Sequence, residues 1–406
     1  MDKLQLLESL NIKNNKKIIF LVIDGLGGIT HPEYKMTELE AAHTVNLDNL
    51  VKNSLSGLII PVGYGITPGS GPSHLALFGY DPFNYEIGRG ILEALGLGIE
   101  IGKYDLCARA NFATIDYKTN IVIDRRASRP QTEKTVELCK FLQENINEID
   151  DIKVTIKPGR GHRFVVVFTG ENLSEKITDN DPQKDGYSPK IIKANSSEGE
   201  KTSKIVNKFL NRVTELIKEK TPMNYILIRG FSKYPDIPSM NKVYGLNSAC
   251  IAVYPMYKGL AKLVGMKILD VPGEKISDEI TTLKKEYNNY DFFYVHIKET
   301  DTFGEDGNFL AKVNKLNEID GFIPEILELN PDVLVITGDH ATPSVLKGHS
   351  WHFVPVMIYT KYALYPNISN RFTERECLKG YLGILPAKEI MSIALANTFK
   401  LSKFGA

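Results

Sequence analysis

The chain has 406 residues, 43% of them hydrophobic and 24% charged, which is an ordinary soluble composition too long for one hydrophobic core, so two domains or one domain carrying an insertion are expected. Its 49 basic and 49 acidic side chains cancel, which removes the electrostatic case for a nucleic-acid or anionic-membrane partner but leaves room for a small anion held by local arginines. The four cysteines, Cys107, Cys139, Cys250 and Cys377, lack CxxC spacing; this argues against a zinc knuckle or disulfide scaffold and fits buried thiols in a reducing, cytoplasmic compartment.

The first apolar run, Ile18 to Ile23 within "KIIFLVIDG" (17–25), is too short for a membrane span and is followed by nothing resembling a cleavage site. It reads as a buried strand ending at Asp24. "TPGSGPSHLALFGYDP" (67–82) then crowds glycine and proline around Ser70 and Ser73 at the mouth of an apolar helical stretch. From about 100 to 235 the pattern changes: "RANFATID", "NIVIDRRASR" and "VTIKPGRGHRFVVVFTG" predict a small separate sheet, and "DNDPQKDGYSPKIIKANSSEGEK" a mobile polar stretch. Beyond it, "SACIAVYP" (248–255), "DFFYVHIK" (291–298), "DVLVITGDH" (332–340) and "FVPVMIYT" (353–360) read as further buried parallel strands, with helical segments such as 306–329 between them. The alternation predicts an α/β fold with a mainly parallel sheet flanked by helices. The expected layout is a discontinuous core over 1–88 and 235–406, interrupted by an α+β cap over 89–234.

Ligands in such sheets gather beyond the carboxyl ends of the strands. Asp24, Asp301, Glu305, Asp339, His340 and His349 all fall there. Carboxylates mixed with imidazoles suit Mn²⁺, Zn²⁺ or Mg²⁺, and the inventory is large enough for two ions. Taken singly each has a plainer reading: Asp24 as a helix cap, Glu305 as a solvated charge, His349 as an exposed loop residue. Ser70 reads either as a helix cap or as a nucleophile, and a hydroxyl needs a base or a metal to act as one. The glycines of "GSGPS" would let Ser70 Oγ approach a metal held by Asp24, Asp339 and His340, whereas the GxSxG elbow of a Ser-His-Asp hydrolase is absent. Arg109, Arg125, Arg126, Arg129, Arg160, Arg163 and Arg229 supply bidentate forks for phosphate or carboxylate. Neither GxGxxG nor GxxxxGK[ST] occurs, so no nucleotide cofactor is indicated.

"LVIDGLGG", "TPGSGPSHLALFGYDP", "ARANFATID", "DRRASR", "GHRFVVVF", "MNKVYGL", "VHIKETDTFGEDGNF", "VITGDHATP" and "LSKFGA", in this order over nearly the whole chain, closely resemble the archaeal-type cofactor-independent phosphoglycerate mutases of the alkaline phosphatase superfamily. The resemblance implies interconversion of 3- and 2-phosphoglycerate through a phosphoserine, with two divalent metals, usually Mn²⁺, and Mg²⁺, Zn²⁺ or Co²⁺ as alternatives. It assigns Ser70 as nucleophile, sharing one metal with Asp24, Asp339 and His340, and gives the second metal to Asp301 and His349; Ser73 becomes a bystander. Arg109, Arg125, Arg126, Arg163 and Lys242 match substrate-contacting positions, with Arg129, Arg160 and Arg229 as alternatives. The cap is expected to close over the substrate, holding its carboxylate and keeping water from the phosphoserine. One departure stands out: where the family reads Asp-x-x-Gly-His, "DTFGED" places Glu305 at the histidine. That exchange favours Mg²⁺ or Mn²⁺ over Zn²⁺ at the second site. The competing expectations are a related phosphatase or phosphotransferase, homoserine-kinase-like for example, and a catalytically weakened binding protein. Oligomeric state is left open.

Overall fold

The computed structural model describes residues 2–85, 87–363 and 368–405. The chain divides into two compact units, one made of Met1–Glu86 with Ile237–Ala406 and the other of Ile87–Asp236. Strands β1 (Ile18–Ile23) and β2 (Ser54–Ile60) open the first unit. The second unit carries β3 (Asp105–Asp116), β4 (Ile121–Asp124), β5 (Glu148–Ile149), β6 (Ile152–Pro158), β7 (Arg163–Thr169) and β8 (Tyr225–Lys233). The first unit resumes with β9 (Ser248–Ala252), β10 (Lys267–Ile268), β11 (Phe292–Ile297), β12 (Val333–Thr337), β13 (Val354–Thr360) and β14 (Gly383–Pro386).

In the first unit eight strands form one sheet in the order β10-β9-β11-β1-β12-β13-β2-β14. Every residue of β1 is buried, which a strand achieves only when both faces of its sheet are covered. β1 runs parallel to β11 and β12, with Val22 opposite both His296 and Thr337, so the three strands end level and release Asp24, Lys298 and the 338–342 loop at one edge. The "FVPVMIYT" strand departs from expectation. β13 is antiparallel to both β12 and β2, because an unbroken apolar run records burial on two faces and not direction. The sequence "SLSGLII" of β2 went unrecognised as a strand. Its serines interrupt the apolar pattern, yet both are buried, Ser54 Oγ donating to Leu50 O at 2.8 Å and Ser56 Oγ lying 2.7 Å from Ser369 Oγ. The run at 248–255 ends its strand early, because Pro255 occupies the first turn of the helix Pro255–Leu263.

The second unit is an antiparallel sheet, ordered β4-β3-β7-β6-β5 with β8 also paired to β3. Helices Thr132–Asn145 and Glu200–Ile217 complete its core, in which Phe112 and Phe164 stack at 4.5 Å. The polar stretch expected to be mobile is pinned at its start. Asn180 is fully buried, accepting from Ile228 N at 2.6 Å and donating to Ile226 O at 3.2 Å, so both its oxygen and its nitrogen are tied to β8. All four cysteines are buried free thiols. Among the described residues no helix is long and apolar enough to cross a membrane.

Candidate metal centre

Two groups of side chains in the first unit converge at the level ends of the strands. Asp24, Asp339 and His340 each offer a ligand atom within 4.8 Å of the others, and Asp301, His340 and His349 do the same. His340 Nε2 lies 3.3 Å from Asp24 Oδ1 and 3.2 Å from Asp339 Oδ2. Asp24 Oδ1 and His340 Nε2 are buried without a hydrogen-bond partner, which is costly unless something else occupies the space between them.

The tautomer follows from the neighbours. Thr342 Oγ1 donates to Asp301 Oδ1 at 2.7 Å, so it accepts from His340 Nδ1 at 2.9 Å, leaving Nε2 with a bare lone pair. His349 repeats the arrangement. Its Nδ1 donates to Pro68 O at 3.0 Å, and Nε2 faces Asp301 Oδ1 at 3.5 Å and Glu305 Oε1 at 3.7 Å. The two rings stack with centroids 3.6 Å apart. Glu305 closes the helix Glu299–Glu305 with its side chain 54% exposed, beside His349 but outside the compact group.

The electrostatics agree with a cation site. Burial pushes Asp24 up, but the neighbouring His296, Lys298 and His340 outweigh it and hold the carboxyl well below its usual range. Burial and Asp24 both push Asp339 up; His340 and His74 overcome them and leave it below its ordinary value. Burial lowers His340, against the pull of Asp339 and Asp24. Two ionised carboxylates and a neutral imidazole are the protonation states a divalent ion requires.

Ser70 is half-buried at the first position of the helix Ser70–Leu77, whose cap is Gly69, so its own hydroxyl is not consumed in capping. Ser73, read as a bystander, is fully buried, and its single O–H has three acceptors in reach, Gly69 O at 3.1 Å, Ser70 O at 3.2 Å and Asp339 Oδ2 at 3.3 Å. It helps orient Asp339.

Several participants escaped sequence reasoning. His74 is fully buried, with Nδ1 2.8 Å from Ser70 O and 3.3 Å from Asp339 Oδ2. His296, a single polar residue inside an apolar strand, brings Nε2 to 3.3 Å from Asp24 Oδ2. The Tyr257 hydroxyl and Lys298 also hold Asp24 Oδ2. Gly25 must be glycine: at φ +67° a Cβ would lie 2.7 Å from Thr342 Oγ1 and 2.9 Å from Asp301 Cα. Lys312, in the helix Phe309–Leu327, is fully buried, and its ammonium donates to Gly25 O and Thr342 O at 2.8 Å and to Gly27 O at 3.3 Å. Three carbonyls match three N–H groups, so this cation ties the loop after β1 to the loop after β12. Lys312→Met is expected to leave them unpaired and to lower the unfolding free energy by about 3 kcal/mol. Urea denaturation checks this; a change below about 0.5 kcal/mol would contradict it.

The basic candidates are spread more widely. In the second unit, Arg109 pairs with Glu93 at 3.3 Å and is pushed down to about 10 by burial and by Arg163, Arg229 and Arg89, despite Glu93. His162 is pushed down to about 4 by burial and then by Arg163, Arg126 and Arg109. These shifts mark one basic cluster. Within it the Nε atom of Arg109 is buried without a hydrogen-bond partner, while that of Arg229 lies 3.7 Å from Asp181 Oδ2. The Arg125 fork is taken by Asp181, at 2.8 and 2.6 Å. Arg125, Arg126 and Arg129 line a cavity of about 560 Å³, on a loop whose residues Ala127, Ser128 and Arg129 all have positive φ, a strained backbone of the kind found at binding sites. Arg160 is exposed, as is Lys242, which lies in the first unit on the helix Met240–Tyr244.

A profile of the family described as 2,3-bisphosphoglycerate-independent phosphoglycerate mutase matches residues 51–224. Over 400 residues the chain is 55% identical to a probable 2,3-bisphosphoglycerate-independent phosphoglycerate mutase of Aquifex aeolicus, covering 97% of this chain and 98% of that one. The protein of the same description from Thermus thermophilus is 49% identical over the full length of both chains. Among solved structures, the cofactor-independent phosphoglycerate mutase of Thermoplasma acidophilum superimposes with a TM-score of 0.76 at 30% identity, over 94% of this chain and 99% of that one. The PH0037 protein of Pyrococcus horikoshii does so with a TM-score of 0.81 at 27% identity, over 97% and 100%.

Proposed function

The chain belongs to the 2,3-bisphosphoglycerate-independent phosphoglycerate mutase family, and from that premise we propose that it interconverts 3-phosphoglycerate and 2-phosphoglycerate through a phosphorylated Ser70. The observation that carries this reading is the pair of unpartnered buried atoms, Asp24 Oδ1 and His340 Nε2, facing each other at 3.3 Å where the strands end. The donor set fits two divalent metals. Asp24, Asp339 and His340 would hold one together with Ser70; Asp301, His349 and Glu305 would hold the other. Such ions lower the pKa of a serine hydroxyl and neutralise phosphoryl oxygens.

The chain's own residues do the rest. Ser70 Oγ loses its proton and attacks the substrate phosphorus in line, forming an Oγ–P bond as the bond to the glycerate oxygen breaks. The departing oxygen takes a proton. Glycerate's other hydroxyl then attacks the phosphoserine, and Ser70 is regenerated. Its place at a helix N-terminus favours the anion it carries in between.

Arg109 is assigned to an anionic group of the substrate, since its Nε atom is buried without a hydrogen-bond partner. Arg109→Gln is expected to raise KM by about 10- to 100-fold with a smaller change in kcat, because a charge-assisted fork made in both ground and transition states is lost. Steady-state kinetics decide it; an unchanged KM removes Arg109 from the site. Mn²⁺ is the proposed metal, since Glu305 adds a hard oxygen beside His349. Glu305→His is therefore expected to move the preference toward Zn²⁺, by about tenfold in the ratio of Zn²⁺- to Mn²⁺-supported activity after metal stripping. A ratio that does not move places Glu305 outside the second site.

The activity itself is tested by a coupled assay of 3-phosphoglycerate conversion to 2-phosphoglycerate with neither 2,3-bisphosphoglycerate nor ATP. Sustained turnover is expected. Turnover that requires either compound would overturn the reading.

A further inference from the structure

Lys298 follows the last residue of β11 and caps the helix Glu299–Glu305. Its ammonium is 3.2 Å from Asp24 Oδ2 and also ion-paired to Asp301 Oδ2, so it touches one carboxylate from each ligand group. Both aspartates are turned alike. Asp24 keeps Oδ1 toward His340 Nε2 at 3.3 Å, and Asp301 keeps Oδ1 toward His349 Nε2 at 3.5 Å, while both Oδ2 atoms face Lys298. The stem is itself confined, with the ammonium 5.8 Å from the Tyr254 ring centre and 5.9 Å from that of Tyr257.

Building on the two-metal reading above, we infer that Lys298 is a positioning residue that fixes the two metal groups relative to each other, holding both aspartates by Oδ2 so that each presents a single oxygen to its metal. One ammonium would thereby tie the carboxylates of the two ligand groups to each other. Nothing in the motif pattern marks it; the geometry alone does.

The two groups depend on it unequally. Asp24 Oδ2 accepts in addition from the Tyr257 hydroxyl, with His296 Nε2 3.3 Å away. Among the described residues, Asp301 Oδ2 is held by Lys298 alone, and Thr342 occupies the Oδ1 atom that the metal needs. Removing Lys298 should therefore damage the Asp301–His349 group and spare the Asp24–Asp339–His340 group. Charge alone argues the opposite, because an ammonium repels a nearby dication, and its loss would then tighten both groups together.

The test is Mn²⁺ titration of metal-stripped full-length protein, with free Mn²⁺ read by its electron paramagnetic resonance signal, for the wild type, Lys298→Met and Lys298→Gln. The wild type should show two binding classes. In both variants one class alone is expected to lose about 10- to 100-fold in affinity, the usual effect of removing a group that orients a ligand, while the other stays within about threefold. Tightening of both classes, equal loss from both, or no change in either overturns the role of Lys298 and leaves the two-metal reading standing. Wild-type protein that takes up no Mn²⁺ overturns the metal reading, and this inference with it.

Discussion

Ser70→Ala is expected to lower mutase turnover by at least about 10⁴-fold, the scale on which removal of a covalent nucleophile acts. Folding should be little affected. The helix Ser70–Leu77 is capped by Gly69, and Ser70 is only half-buried, so the change removes neither a cap nor a packed group. The neighbouring hydroxyl provides the contrast. The one Ser73 O–H has Asp339 Oδ2 at 3.3 Å and the carbonyls of Gly69 and Ser70 in reach, a structural hydrogen bond that Ser73→Ala would lose at a cost of about 1 kcal/mol, with no loss of the phosphorylated intermediate. Mass spectrometry of protein quenched during turnover should find phosphate on Ser70 in the wild type and in Ser73→Ala, and none in Ser70→Ala. Phosphate on Ser73, or turnover by Ser70→Ala within tenfold of wild type, would refute the assignment.

The strand ends were legible because the physics behind them is local. Runs such as Ile18–Ile23 and Val333–Thr337 bury every residue, so an apolar string followed by a carboxylate marks both a strand and the edge it feeds. Asp24, Asp301, Asp339 and His340 follow β1, β11 and β12, whose parallel course sends their ends to one side of the sheet, while His349 reaches that side by preceding the antiparallel β13. What stayed hidden depends on tertiary pairing. The direction of β13 is set by its partners, and β2 is masked by serines whose hydroxyls are satisfied only in the folded chain. Lys312 looks like any solvated helix lysine until three backbone carbonyls surround it. His74 lies one helical turn beyond Ser70 and still reads as part of an apolar stretch, because its function resides in Asp339, far along the chain. Arg125 pairs through Nε and Nη2 with Asp181, a partner that a list of arginines does not reveal.

Asp339→Asn carries the second large effect, on metal rather than on the nucleophile. The substitution keeps the shape and an acceptor for Gly25 N, now 3.2 Å from Oδ1, but removes one unit of charge from a group whose atoms lie within 4.8 Å of one another. At about 4 Å and an effective dielectric of about 20, even a unit-charge interaction is on the order of 4 kcal/mol, so Mn²⁺ affinity at this group should fall by about 10³-fold or more. Activity should fall with it, and so should the stabilisation that metal confers. Mn²⁺ at 100 times its dissociation constant adds about 2.7 kcal/mol to a folded state that alone binds it, which appears as a rise in the wild-type thermal midpoint and should vanish in the variant. The pH dependence supplies an independent check. Asp24 and Asp339 are both held below the ordinary carboxylate value, so their contribution to stability is complete above about pH 4 and is lost as acid protonates the folded state below that. His340 is held below the ordinary histidine value by burial, so it stays neutral and available as acidity rises through about pH 6.5. Mn²⁺ affinity at the Asp24–Asp339–His340 group is accordingly expected to remain flat from about pH 8 to 6.5 and to decline only at lower pH. A decline centred on about pH 6.5, or an Asp339→Asn variant still stabilised by Mn²⁺ as the wild type is, would mean that the ion is held by other residues.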